Sequence, residues 1–124
     1  MGFRLLITAA IISLVGAMFH GFIGSKIYME TINKGTTQPV TKSLSLVSWH
    51  VFTIFLFISA STIIHIAYNP KFGAAAYPVI ADNLLGVLLF VFLGLTKHRM
   101  LLEMPGAYLM RSTALLAWLG VVEF

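Results

Sequence analysis

Six side chains hold most of the chemistry this sequence offers: His20, His50, His65, His98, Asp82 and Arg111. Imidazole carries protons near neutral pH and ligates haem iron or transition metals. Cysteine is absent, so thiol redox chemistry, disulfides and thiolate metal sites are excluded. There is no H-E-x-x-H, no histidine-rich box and no serine elbow. Nothing here supports a hydrolase, and the expectation leans away from an enzyme.

The histidines and Asp82 fall into two sets. His20 closes the first apolar run and His50 opens the second, so antiparallel helices put them at similar depth. Two such imidazoles could clamp a haem b edge-on, with Gly16, Gly21 and Gly24 giving the flat ring room. Alternatively His20, His50 and His98 would hold a metal ion. The plainer reading is that each histidine hydrogen-bonds a Ser, a Thr or a backbone carbonyl in a packed interface. His65 and Asp82 form the second set, at the far ends of helices two and three, where they would make an ion pair or a proton or substrate relay. The plainer reading of Asp82 is that it caps or solvates a helix start.

The elements that must position these groups follow from composition. Hydrophobic residues make up 59% of the 124-residue chain and charged residues 10%. A soluble domain carries roughly 25% charged residues, so this chain is read as an integral membrane protein. A spanning helix takes about 20 residues, and four apolar runs predict an all-α bundle of four transmembrane helices in one domain. The expected helices are about 3–33, 45–68, 78–97 and 105–124. Thr36 to Lys42, with Pro39, reads as a loop. Asn69-Pro70-Lys71-Phe72-Gly73 reads as a tight turn. The first run is too long for a signal-peptide core and is expected to stay in place. Barrel strands would need many alternating segments of roughly 10 residues, for which there is no room.

Two helical faces stand out. Ala9, Ser13, Ala17, Gly21 and Ser25 recur at four-residue spacing, the small-residue pattern of close membrane packing. On helix two, His50, Thr53, Phe57, Ser61, His65 and Tyr68 share one side and are expected to face inward. Trp49, Trp118, Tyr68, Tyr77 and Tyr108 read as interfacial anchors. Phe52, Phe55, Phe57, Phe90 and Phe92 read as packing or lipid-facing groups. Arg111 would snorkel towards the interface.

The net charge of +4 reflects lysines and arginines that flank the apolar runs, with no nucleic-acid-binding pattern. Lys26, Lys34, Lys42, Lys97, Arg99 and Arg111 fall on one side, and Arg4 and Lys71 on the other. The positive-inside rule then places both termini outside the cytoplasm of a bacterial inner membrane. In length and span number the chain is similar to small multidrug transporters, fluoride channels and DoxX-like proteins. Small multidrug transporters need a membrane-embedded Glu in helix one, where this chain has His20. With DoxX-like proteins the likeness is His20-Gly21 followed by Lys26, and no family is assigned.

Three functions are therefore expected in competition. The first is a non-catalytic accessory or interaction subunit of a larger membrane complex, or a homo-oligomer, docking through the Ala9, Ser13, Ala17 and Gly21 face. The second is a haem or metal redox protein using His20 and His50. The third is a small homo-oligomeric transporter using His65 and Asp82.

Overall fold

A computed structural model describes residues 1–124. It contains no strand, and its four helices are α1 (Gly2–Lys34), α2 (Pro39–Tyr68), α3 (Ala76–Leu95) and α4 (Pro105–Val122). Short 3₁₀ runs, Pro70–Ala75 and Arg99–Glu103, occupy the last two connections. α1, α2 and α3 with its 3₁₀ lead-in are long and apolar enough to cross a membrane. The protein is an integral membrane protein on that ground.

α2 begins six residues earlier than the expected 45, because Pro39 occupies the first helical turn instead of a loop. Proline fits there, since its ring presets a helical φ and its missing N–H would have had no partner. α1 is continuous, but Phe19–Gly24 winds as a π-helical turn with His20 inside it.

Each helix runs antiparallel to its neighbours. Ser13 Oγ donates to the Leu56 carbonyl at 2.8 Å, and the Phe3 and Tyr68 rings meet edge-on at 5.4 Å. These contacts pair the start of α1 with the end of α2. Gly16 faces Leu109 and Gly120 faces Leu6, pairing α1 with α4. Gly86 faces Met110 and Phe90 faces Gly106, pairing α3 with α4, while Gly94 faces Leu102 of the Arg99–Glu103 run. Gly2 lies against Gly120 and Phe124, so both termini share one end of the bundle. Lys26, Lys34, Lys42, Lys97 and Arg99 lie towards the other end, and Lys71 lies in the Pro70–Ala75 turn at the terminal end.

The spatial order is therefore α2, α1, α4, α3. α2 and α3 meet beside the Pro70–Ala75 turn and then diverge, leaving that side of the bundle open. The apolar core includes Leu6, Ala9 and Ala10 on α1, Ile63 and Ile66 on α2, Val79 and Ile80 on α3, and Ala114 and Ala117 on α4.

A polar layer crosses this core. Ser13, Ser59, Asn83 and Thr113, one from each helix, are all buried. Carrying the paired contacts across the bundle puts them at about one level along its axis. Ser59 Oγ, Asn83 Oδ1 and Thr113 Oγ1 have no hydrogen-bond partner within the chain. Only Ser13 bonds across helices, to the Leu56 carbonyl of α2.

Candidate functional site

Two places gather chemistry-bearing residues, an aromatic lattice around His20 and the open wall beside Asp82.

The lattice joins α1 to α2 near the lysine-bearing end. On α1, His20, Gly24 and Tyr28 follow one another at four-residue intervals. On α2, Trp49 and Thr53 have the same spacing. The Trp49 ring stacks on His20 at 4.0 Å and 8° and on Tyr28 at 4.4 Å and 17°. Its Nε1–H donates to the His20 carbonyl at 2.9 Å. That carbonyl also accepts the Ser25 N–H, the i to i+5 bond that defines the π turn. His20 Nδ1 and Thr53 Oγ1 share a hydrogen bond at 2.9 Å, and Phe52 meets the imidazole edge-on at 4.9 Å. His20 is thus held by four residues of its own chain, Ser25, Trp49, Phe52 and Thr53.

This geometry does not fit haem between α1 and α2. The room that Gly21 and Gly24 would leave is taken: an added methyl would stand 2.8 Å from Thr53 Cγ2 and 2.9 Å from Trp49 Cζ2 respectively. The side chain of Leu109 fills the space at Gly16. His50 is exposed and shares no hydrogen bond with His20. The metal set also fails to form, because no three His, Cys, Asp or Glu side chains gather closely enough to hold an ion. His98 is exposed after the end of α3.

The polar face of α2 points outward, correcting the inward expectation. His50, Phe57, Ser61, His65 and Tyr68 are exposed, and of this face Thr53 and Tyr68 meet α1, at His20 and Phe3. The core face is instead Leu56, Ser59, Ala60, Ile63, Ile66 and Ala67. Small and branched residues there admit closer helix approach than the bulky side does. The α1 stripe serves the same end. Ala9, Ser13 and Ala17 are buried inside the bundle and Gly21 abuts Thr53, so this face is consumed within the chain and is not free to dock a partner.

His65 and Asp82 are not paired. The His65 ring lies 5.2 Å from Phe72 in the turn, and the one ion pair of the chain is Lys34 with Glu30. Asp82 is not at a helix start either, since it lies in the second turn of α3. The register through α4 places it level with about Ile11 or Ile12 of α1, close to the middle of the Phe3–Ile23 apolar run.

Asp82 lines the cleft that opens where α2 and α3 diverge. Its volume is about 440 Å³, with Val51, Phe52 and Phe55 on one wall, Leu85, Leu89 and Phe90 on the other, and Met110 of α4 behind. Three phenylalanines read as packing or lipid-facing groups thus flank the one carboxylate of the cleft. Phe52 touches both sites, with His20 on one side and the cleft on the other. The sequence signal for the lattice is the matched four-residue spacing on both helices. The divergence of α2 from α3 has no such local signal.

No family model, curated protein or solved structure matches this chain.

Proposed function

We propose that the chain is a non-catalytic interaction subunit of a larger assembly in the plane of the membrane, making lateral contacts through its α2–α3 side. One observation carries this reading. Asp82 stands on an open, apolar wall near mid-depth, and no group of its own chain pairs with it. An ionisable group at such a depth costs several kcal/mol unless a partner satisfies it. The α1 small-residue stripe cannot supply the contact, being buried.

In this reading α4 is the fourth span. It is shorter and less apolar than the others, and it is carried by packing against α1 and α3. The excess of lysines and arginines towards the end opposite the termini supports a cytoplasmic position for that end, with both termini outside, in a bacterial inner membrane.

Size measurement in mild detergent tests the proposal. The wild-type chain is expected in an assembly far above its own 13.6 kDa. Asp82→Asn keeps the side-chain volume and removes the charge, and it is expected to move most of the protein to single-copy size. A wild-type single copy, or an unchanged assembly in Asp82→Asn, would refute the proposal.

A further inference from the structure

We infer that the counter-charge for Asp82 is Arg111 of a second copy of this chain, so that the α4 face of one copy seats in the α2–α3 cleft of the next. The inference rests on the lateral-contact reading above and names its partner.

Arg111 is exposed on α4 and makes no ion pair within the chain. Met110, beside it in sequence, faces Gly86, one turn beyond Asp82. The two charges therefore lie within about one helical turn of each other in depth. Both are near the middle of the span. They are opposite in sign, and each is expensive to leave unpaired in lipid.

Within one copy they face different ways. Asp82 looks into the cleft towards Val51 and Phe55. Leu115, four residues after Arg111, and Trp118, seven after, line a shallow groove with Ile80 and Leu84 on the other side of α3. α3 thus stands between the two charges. Placing two copies side by side in the same orientation brings Arg111 of one to the depth of Asp82 of the other. The same step sets Leu115 at about the depth of Asp82, at the end of the cleft nearest the Pro70–Ala75 turn.

The two faces differ, so the contact is head-to-tail. Repeated, it closes into a ring if the rotation per copy divides a full turn. The bilayer favours closure, because it holds every copy in one orientation and keeps the depths matched.

Charge exchange tests this directly. The cysteine-free chain takes a single label at Ala74→Cys, on the exposed turn, and energy transfer between copies is read in phosphatidylcholine vesicles. Wild-type copies are expected to associate. Asp82→Arg alone and Arg111→Asp alone are each expected to weaken association about tenfold or more. The double variant carries both charges exchanged and is expected to recover to within about threefold of wild type.

Cross-linking supplies the geometry and does not depend on the charge variants. Copies bearing Leu85→Cys, mixed with copies bearing Leu115→Cys, are expected to form disulfides between the two kinds and not within either. Unchanged association in both single variants would overturn the inference. A double variant no better than the singles would do the same, and so would cross-links confined to like copies. If wild-type copies do not associate in vesicles while Asp82→Asn still shrinks the native assembly, the second-copy inference fails and the lateral-contact reading stands. If neither effect is seen, both fall.

Discussion

A Trp49→Ala chain is expected to lose about 3 kcal/mol of stability, read as a lower midpoint when the detergent-solubilised protein is titrated with SDS. The size of the loss follows from what the indole does. It stacks between His20 and Tyr28, and its N–H donates to the His20 carbonyl inside the π turn. Removing it deletes two aromatic contacts, each worth about 0.5–1.5 kcal/mol beyond area. It also opens a void beside Gly24, where Trp49 Cζ2 sits close enough to crowd a methyl. Trp49→Phe separates the contributions. It keeps much of the stack and loses the hydrogen bond, so about 1 kcal/mol is expected. Equal losses in the two variants would mean that stacking contributes nothing, and the lattice would not be what joins α1 to α2.

Gly120→Val is expected to be as costly, at about 3 kcal/mol, for the opposite reason. A Cβ at Gly120 would stand 2.7 Å from Leu6 Cγ and 3.1 Å from the Leu6 backbone nitrogen. Leu6 is fully buried, and its backbone cannot move without shifting α1. Relief therefore requires α4 to lift from α1. Gly73→Ala is the control, since its nearest neighbour would be Val121 Cγ1 at an ordinary 3.6 Å. It is expected to change stability by less than about 0.5 kcal/mol. A tolerated Gly120→Val would show that α4 is not seated on α1 by close approach, and the mid-span depth of Asp82 and Arg111 would lose its support.

The helices were legible in the sequence because long apolar runs have few alternatives. Their inward faces were not equally legible. Helical angles around His50 group residues by side, but the partner decides which side is buried. On α2 the side with Ser59, Ala60, Ile63 and Ala67 wins, because small residues allow close packing. The polar side, with His50, Ser61 and His65, is left outside. On α1 the small-residue stripe lies buried against α2 and α4 of the same chain.

The His20 site was half legible. A hydrogen bond from a histidine to a threonine was one plain reading of it, and Thr53 supplies that bond. The π turn was not legible, since no residue type encodes it. Asp82 was misplaced in depth for a related reason. Counting from the expected start at Pro78 puts it in the first turn, whereas contacts of α3 with α4 and of α4 with α1 carry it inward to the middle of the apolar run.

The central claim is that the α2–α3 side is a protein contact and not a lipid-facing surface. A photo-reactive benzoylphenylalanine at Leu85, on the cleft wall, tests it in intact membranes of the protein's own cells. Val15, exposed on α1, is the lipid-facing control. The account predicts a discrete protein adduct from position 85, absent at position 15 and lost when Asp82→Asn is added. Lipid adducts alone at both positions would contradict it.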